Sequence, residues 1–404
     1  MRHSLISVGG LLLLALVLSE RTADPQSPAP QRKSLITKVH PSPISAMKLV
    51  APGSGWVIVQ GRLLWTNDDG GVWTDVTPPG PPTQSFGVIY SFDATHTWIV
   101  LVDPPGDWTQ HYPLRLVRTA DGGQTWATLP FDDSPFPDLK KTHAAPAALQ
   151  FLDSEHGWFL WKIPTGTQLS VGMMLSTKDG GRTWTELPRP PSAHGFSFCT
   201  PRDGWMVGSP DGDELWRTRD GGETWEQKTT VPPDNCKQCR PIFNGAPRFQ
   251  NPVEGAMFVT FQDESSQDGR FVSVAYVTRN GGNSWEPAHV FEPEDSPRGN
   301  TFITGVSIIR VFSDIEHGME IRSELGTFTP PYPPELPPRG LASADFADAS
   351  HGWFLHGSHK CLKIGGLKCE ELVWIANLLS TSDGGRTLKV ITPPLPAPPA
   401  TPDH

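Results

Sequence analysis

Paired cysteines are the most compact groups of reactive residues in this chain. The sequence holds five cysteines, and four of them form two closely spaced pairs: Cys236 with Cys239, and Cys361 with Cys369. Thiols at such spacing either bind zinc or join in local disulfides. A four-cysteine zinc site would need two loops from distant parts of the chain to meet, so we predict two local disulfides, no metal and no other cofactor. Cys199, which ends a short apolar run, is predicted to be a buried free thiol.

Acidic side chains in irregular segments are the second group that could do chemistry. Two carboxyl groups held roughly 5–10 Å apart can cleave a glycosidic bond. The candidates are Asp107, Asp132, Asp133, Asp211, Asp263 and Glu264. Solvated loop carboxylates are common on protein surfaces. We therefore predict that none of these residues is catalytic, with a glycoside-hydrolysing site as the alternative.

A third group combines aromatic and basic side chains that could contact a ligand or another protein. Its members are Trp108, His111, Tyr112, Lys140, Lys141, Lys237 and Arg240. Such residues are either ordinary loop decoration or part of a binding surface. The elements that carry them decide between these two interpretations.

A repeated hairpin motif identifies those elements. The pattern Thr-x-Asp-x-Gly-x-x-Trp occurs six times, counting two weaker copies in which Asn replaces Asp or Leu replaces Trp. Its acidic or amide positions are Asp68, Asp121, Asp179, Asp220, Asn280 and Asp383, and its Trp positions are Trp73, Trp126, Trp184, Trp225 and Trp285. The carboxylate can accept backbone N–H bonds across a tight turn, and the glycines permit positive φ. The motif is therefore predicted to fasten a β-hairpin and to have no catalytic role.

A second motif precedes each hairpin. It reads Asp-x-x-His-Gly-Trp at 153–158 and 348–353, and five more degenerate versions occur elsewhere. The seven versions divide residues 44–392 into units of about 50 residues, a period typical of propeller blades. We therefore predict an all-β, seven-bladed β-propeller of four-stranded antiparallel blades. In the sixth unit the hairpin motif is only a remnant at 323–328, and the first strand is predicted at 305–312.

Connection lengths predict where a binding site would lie on such a propeller. In a four-stranded meander, the first and third turns lie on one face, here called the turn face, and the other connections lie on the opposite loop face. Both motifs form short turns that are predicted to lie on the turn face. The connections predicted at 103–114, 161–170, 262–271 and 355–372 vary in length. Because variable loops on a rigid scaffold commonly carry function, the loop face is where we predict that a binding surface would lie. The aromatic and basic group supplies its candidate residues, with ordinary loop decoration as the other interpretation.

The two motifs together resemble the Asp-box, or bacterial neuraminidase (BNR), repeat superfamily, and within it the photosystem II stability and assembly factor family. The resemblance covers residues 44–392 and implies a seven-bladed propeller, but it specifies function weakly. It does not extend to sialidases, because Arg62-Leu63-Leu64 stands where that family has Arg-Ile-Pro. Xyloglucan hydrolases of the superfamily use two facing propellers, and this chain has room for one. The hairpin motif is called the Asp box below.

The ends and the charge of the chain set the remaining expectations. An apolar run at 5–18 is typical of a signal peptide. The expected divisions are a signal peptide at 1–19, a Pro-rich linker at 20–43, the propeller at 44–392 and a Pro-rich tail at 393–404. A net charge of −10 argues against nucleic-acid binding.

These observations predict a secreted or periplasmic propeller without catalytic activity, which acts as a protein-binding or assembly scaffold. The expected partner is another protein, and no integral membrane span is expected after signal cleavage. The alternative is a carbohydrate-binding or glycoside-hydrolysing propeller that uses the loop face.

Overall fold

Seven sheets, each built around four antiparallel strands, form the computed structural model of the chain. Apart from a two-residue strand near residue 40, which joins the seventh sheet, each sheet is one blade made from a continuous stretch of sequence whose strands pair in chain order. The seven-bladed, all-β prediction is confirmed. The structure describes residues 39–40, 44–81, 84–102, 114–141, 144–165, 170–209, 212–264, 271–291, 299–304, 307–314, 318–331, 341–365 and 368–393.

A two-residue strand, β1 (Val39–His40), precedes the first four blades. Blade 1 contains β2 (Ile44–Ala51), β3 (Ser54–Val59), β4 (Arg62–Thr66) and β5 (Thr74–Asp75). Blade 2 contains β6 (Ser85–Ser91), β7 (Thr97–Val102), β8 (Leu114–Thr119) and β9 (Ala127–Leu129). Blade 3 contains β10 (Ala145–Phe151), β11 (Gly157–Pro164), β12 (Ser170–Thr177) and β13 (Thr185–Glu186). Blade 4 contains β14 (Phe196–Phe198), β15 (Gly204–Gly208), β16 (Glu214–Thr218) and β17 (Glu226–Lys228).

The remaining three blades are less regular. Blade 5 has a first strand broken into β18 (Arg240–Phe243) and β19 (Arg248–Phe249), followed by β20 (Gly255–Gln262), β21 (Phe271–Thr278) and β22 (Glu286–Phe291). Blade 6 contains β23 (Gly299–Thr304), β24 (Ser307–Asp314), β25 (Gly318–Ser323) and β26 (Gly326–Phe328). Blade 7 contains β27 (Leu341–Phe346), β28 (Gly352–Gly365), β29 (Lys368–Thr381) and β30 (Lys389–Val390). Two 3₁₀ helices occupy the connections after blades 2 and 4, at Pro137–Lys140 and Asp234–Cys236.

Three predicted boundaries were wrong. In blade 6, residues 305–312 were predicted as the first strand, but Thr304 pairs with Ser307, which makes β23 the first strand and β24 the second. The connection from Asp314 to Gly318 therefore joins the second and third strands.

The other two errors concern loops that were predicted too long. In blade 7, the segment 355–372 was predicted as a loop, but it continues the ladder of β28 and β29. In blade 3, the loop predicted at 161–170 begins with four residues of β11 that pair with β12. All three errors arose because the length of a ladder depends on pairing that local motifs do not specify.

The hydrophobic core lies between the blades. Each of the seven clusters of buried apolar side chains among the described residues spans one seam between neighbouring blades. Along the buried strands both faces of the sheet are therefore covered, which explains the near-continuous burial of Trp158, Phe159, Leu160 and Trp161 in β11. The smallest cluster lies between blades 5 and 6.

An aromatic stack explains the Gly-Trp pair of the second motif. Between blades 3 and 4, the Trp158 and Phe198 rings stack with centroids 3.7 Å apart, and Trp158 Nε1 donates to the Gly221 carbonyl of the next Asp box at 2.9 Å. A Cβ at Gly204 would lie 2.5 Å from the Phe198 ring, so this position requires glycine. The same stack, at 3.9 Å, joins Trp98 and Phe151 between blades 2 and 3.

Side chains close the ring between blade 7 and blade 1. Asp345 accepts hydrogen bonds from Lys48 Nζ at 2.9 Å and from the Leu49 backbone N–H at 2.8 Å. Trp353 Nε1 donates to Asp69 Oδ1 of the first Asp box at 3.1 Å. Blade 7 takes all four of its strands from the C-terminal part of the chain, and β1 adds a short parallel pairing to β29.

Candidate binding surface

The Asp boxes are hydrogen-bonded turns. In the third box, Asp179 Oδ1 accepts bonds from the Thr177 hydroxyl at 2.8 Å and the Thr183 backbone N–H at 2.9 Å, and Oδ2 accepts the Thr183 hydroxyl at 2.6 Å. Burial raises the pKa of Asp179, but the hydrogen bonds from Thr183 and Thr177 outweigh this effect and lower it to about 2. Each of the five box carboxylates accepts the hydroxyl of its own Thr in the same way and is thus engaged within its own turn.

The Asp-x-x-His turns are equally self-contained. Asp153 Oδ1 accepts the backbone N–H groups of Glu155 and His156, both at 2.7 Å, and Oδ2 lies 2.9 Å from His156 Nδ1. Burial raises the pKa of Asp153, but these bonds hold it below its ordinary value. The same arrangement recurs at Asp93 and Asp348. Asp and His are therefore hydrogen-bonded to each other within the turn that they shape.

The basic residues predicted on the loop face have carboxylate partners nearby. Lys141 Nζ lies 2.7 Å from Asp138, and Lys237 Nζ lies 3.2 Å from Asp234, each pair three residues apart at a 3₁₀ helix. Arg240 bridges Asp213 and Glu264, at 3.4 and 3.0 Å. Exposed pairs of this kind satisfy the charges locally. Lys140 is exposed and is the last residue of the 3₁₀ helix Pro137–Lys140. Trp108, His111 and Tyr112 lie outside the described residues.

Two of the candidate carboxylates have local partners in the part of the chain that the structure describes. Asp132 accepts a bond from the Ser134 backbone N–H at 2.9 Å, and Glu264 pairs with Arg240. Asp107 and Asp211 lie outside the described residues. A cavity between blades 1 and 2, lined mainly by Trp56, Trp65 and Trp126, has a volume of about 10 Å³, the size of one water molecule.

The cysteines lie in three different settings. Cys236 and Cys239 are bonded to each other and are buried in the seam between blades 4 and 5. Cys199 is a free thiol, half-buried where full burial was predicted, and burial raises its pKa to about 11. The backbones of Cys361 and Cys369 pair with Leu372 and Ile364, and their side chains lie outside the described residues. Within the described ranges, no group of three metal-ligating side chains is present.

A row of cations on the turn face was missed by sequence reasoning. The residue between Thr and Asp of the Asp box is Lys178, Arg219 and Arg279 in blades 3, 4 and 5, and all three side chains are exposed. The corresponding residues of blades 1, 2 and 7 are Asn67, Ala120 and Ser382. Arg202, in the first turn of blade 4, is also exposed. We call Lys178, Arg202, Arg219 and Arg279 the basic arc. Three of these residues stand at one variable position of the Asp box, and the prediction considered only the fixed positions of that motif.

Hydrogen bonds connect the arc across the seam between blades 4 and 5. Arg202 Nε donates to the Arg219 carbonyl at 3.3 Å, and Arg219 Nη2 donates to Asn283 Oδ1 of the fifth Asp box at 2.9 Å. Arg279, 69% exposed, lies 4.0 Å from Glu286. Among the described residues, no carboxylate lies within ion-pair distance of Arg202 or Arg219. The arc therefore presents guanidinium groups with free donor capacity to solvent.

No helix within the described residues is long and apolar enough to cross a membrane.

Comparison with known proteins adds two findings. No protein-family model matches the chain. Over 192 residues the chain is 27% identical to the photosystem II assembly lipoprotein Ycf48 of Synechococcus sp. (strain CC9902), a match that covers 45% of this chain and 49% of that protein. The chain therefore spans about half the length of the curated relative that it matches.

Several solved structures are similar to this chain at low sequence identity. A structure of YCF48 bound to D1 peptide covers 87% of this chain and 81% of its own, with 18% identity and a TM-score of 0.34. YCF48 from Cyanidioschyzon merolae covers 87% of this chain and 86% of its own, with 13% identity and a TM-score of 0.35. An ancestral GH74 enzyme covers 85% of this chain and 44% of its own, with 9% identity and a TM-score of 0.43. At these levels of similarity, the solved structures add nothing on function to the partial likeness to Ycf48.

Proposed function

We propose that this chain is an exported, non-catalytic propeller that binds an acidic segment of another protein on its turn face, as an assembly scaffold. The basic arc is the observation that carries this proposal. It is a set of four exposed cations on the turns of three consecutive blades, in a chain with a net charge of −10.

Charge complementarity identifies the ligand class. Arginine presents a planar set of donors that matches a carboxylate, and charged groups of one sign on a surface steer partners of the opposite sign. Lys178, Arg219 and Arg279 occupy one repeat position on three consecutive blades. This repetition favours an extended acidic segment that crosses the blades over a compact ligand held at one point.

The partial relative supports a role in assembly. Its name describes a photosystem II assembly lipoprotein, and it is similar to less than half of this chain. Export of the present chain is supported by the apolar run at 5–18 that precedes the propeller. A glycan-binding or glycoside-hydrolysing loop face stays a prediction, because Trp108 and Tyr112, on which it would depend, lie outside the described residues.

Fluorescence anisotropy with a labelled Glu-rich peptide tests the proposal, with a Lys-rich peptide of equal length as the negative probe. We expect the Glu-rich peptide alone to bind, and to bind more weakly at high salt. The double variant Arg219→Glu/Arg279→Glu should weaken binding at least about tenfold. Ala120→Glu, which places a glutamate at the same repeat position of blade 2, is the positional control and should leave binding unchanged.

Three outcomes would overturn the proposal. Equal binding of both peptides would show that no acidic segment is recognised. Loss of binding in Lys140→Glu but not in the arginine double variant would move the site to the loop face. Tighter binding of a DNA oligonucleotide than of the Glu-rich peptide would identify a polyanion, not a protein segment, as the ligand.

A further inference from the structure

The fifth Asp box carries an amide in place of the carboxylate and still closes its turn. Asn280 Oδ1 accepts bonds from the Thr278 hydroxyl at 2.9 Å and the Ser284 backbone N–H at 3.0 Å. Asn280 Nδ2 donates to the Ser284 hydroxyl at 2.8 Å, which reverses the direction of the bond from Thr183 to Asp179 in blade 3. The asparagine therefore preserves the hydrogen bonds of the hairpin and removes only its negative charge.

Two arginines of blade 4 converge on this same turn. Arg217 donates to the Gly281 carbonyl at 2.8 Å and to the Gly282 carbonyl at 3.1 Å. Arg217 and Arg219 both donate to Asn283 Oδ1, at 3.0 and 2.9 Å. Asn283 in turn donates to the Asn280 carbonyl at 2.7 Å. Asn280 thus follows Arg279 directly in the chain, and the guanidinium groups of Arg217 and Arg219 donate hydrogen bonds to the turn that contains it.

A carboxylate at this position would reduce the positive field of the arc. Arg217 is buried and paired with Asp203 at 3.0 Å, so its charge is already balanced. The field available to a ligand comes from the exposed Arg219 and Arg279, which flank the fifth turn. It is already reduced by Glu286, 4.0 Å from Arg279, and by two further glutamates. The pKa of Glu226 is lowered by Lys228 and also by Arg219, and the pKa of Glu254 is lowered by hydrogen bonds from Asn251 and Gln250 and also by the charge of Arg279. An aspartate between them would attract both guanidinium groups and compete with an incoming acidic segment.

The fold gives no reason for the amide. In the neighbouring boxes the carboxylates are strongly favoured, since hydrogen bonds lower the pKa of Asp179 and Asp220 to about 2 in spite of burial, which raises it. A negative charge beside Arg279 and Arg219 would also gain Coulombic attraction. Stability therefore favours aspartate at 280, and ligand binding favours a neutral residue.

We propose that Asn280 is a specificity-determining residue that spares the basic arc a further carboxylate and so favours an acidic ligand. This inference rests on the proposed function and deepens it. It predicts opposite changes in stability and in binding from one substitution.

The test is Asn280→Asp, measured with the same Glu-rich peptide and by thermal unfolding. We expect binding to weaken about threefold at low salt, with the difference lost at high salt, while Tm stays unchanged or rises. A lower affinity at an equal or higher Tm cannot come from partial unfolding.

Two amide variants of other boxes complete the design. Asp220→Asn, inside the arc, should strengthen peptide binding about threefold and lower Tm. Asp121→Asn, in blade 2 and outside the arc, should lower Tm and leave binding unchanged. Both substitutions change a carboxylate to an amide in the same turn, so only their position relative to the arc differs.

The outcomes separate this inference from the proposed function. If Arg219→Glu/Arg279→Glu abolishes binding but Asn280→Asp binds like the wild type, the role of Asn280 is overturned and the binding surface stands. If Asn280→Asp lowers both Tm and affinity and Asp220→Asn leaves affinity unchanged, the residue is structural only. If the wild type does not bind the peptide at all, the proposed function itself fails.

Discussion

The seam between blades 3 and 4 and the seam between blades 5 and 6 solve the same packing problem differently. In the first, Trp158 stacks on Phe198 and donates to the Gly221 carbonyl of the next Asp box. In the second, the side chain of Arg310 is buried, with its guanidinium carbon 4.6 Å from the Phe291 ring centroid and 5.4 Å from that of Phe258. One seam is closed by a stacked ring pair and the other by a cation between rings.

The difference teaches that the two repeated motifs are halves of one inter-blade contact. The tryptophan of one blade contacts the Asp box of the next blade in the chain. Blade 6 has no Asp box, and blade 5 has Ala256 where its tryptophan would stand. The two losses therefore coincide at a single seam. Arg310 takes their place through cation–π contacts, which are stronger when the cation is desolvated.

Removing the ring from the regular seam should have the largest effect. We expect Trp158→Ala to lower the free energy of unfolding by about 3–5 kcal/mol, because it leaves a cavity against Phe198. Trp158→Phe keeps an aromatic ring and loses the hydrogen bond to Gly221, so its cost should be about 1 kcal/mol. Urea unfolding measures both. Equal costs for the two variants would show that the hydrogen bond, and not the stack, holds the seam.

Removing the cation from the irregular seam should cost less. We expect Arg310→Ala to lower the free energy of unfolding by about 2–3 kcal/mol through loss of its contacts with Phe258 and Phe291. Arg310→Lys keeps the charge but not the planar group, and should recover only part of the loss. The same urea titration ranks the seams. A cost above that of Trp158→Ala would make the seam between blades 5 and 6 the stronger one.

A methyl group placed under the stacked ring should have a smaller effect. Gly204→Ala puts a Cβ 2.5 Å from the Phe198 ring, and the displacement of that ring should cost about 1–3 kcal/mol. Gly195→Ala, where a Cβ would meet no atom within 4 Å, is the control and should change stability by less than about 0.5 kcal/mol. Identical melting temperatures for the two variants would argue against the close contact between Phe198 and Gly204.

Acid should weaken the regular blades with the smallest change per residue. Hydrogen bonds from Thr125 lower the pKa of Asp121 to about 2, and the pKa of Asp220 is also about 2, against an ordinary value of 3.8. A lowered folded-state pKa gives stability that is present above about pH 4 and lost as the pH falls towards 2. Blade 5 has Asn280 and lacks this pH-dependent contribution to stability, so Asn280→Asp should make the protein more sensitive to acid. Thermal unfolding between pH 5 and pH 2 measures it, and a Tm independent of pH would contradict it.

Most of the fold was predictable because its signals are local. An Asp box is closed by hydrogen bonds that each join residues no more than four positions apart, as the bonds of Asp179 to Thr177 and Thr183 show. Blade 6 was misassigned because it lacks this local signal. Without an Asp box, its register depends on strand pairing that is set by neighbouring blades and not by its own turn residues.

The candidate surface was predictable only in part. The loop face was favoured because its connections vary, yet Lys237 and Arg240 are paired with carboxylates there. The basic arc lies on the turn face, on residues that the motifs treat as variable. Whether these residues form one surface depends on which blades are neighbours and on which carboxylates lie nearby. The spacing of residues along the chain shows neither.

The sequence by itself determined the number of blades, the position of their fastened turns and the residues that each turn requires, because these depend on hydrogen bonds between near neighbours in the chain. Only the tertiary structure decided how the blades are joined. Trp158 and Gly221, whose contact closes one seam, are 63 positions apart, and so are brought together by packing alone. The same packing aligns Lys178, Arg219 and Arg279 on one face and leaves Asn280 as the uncharged turn among them.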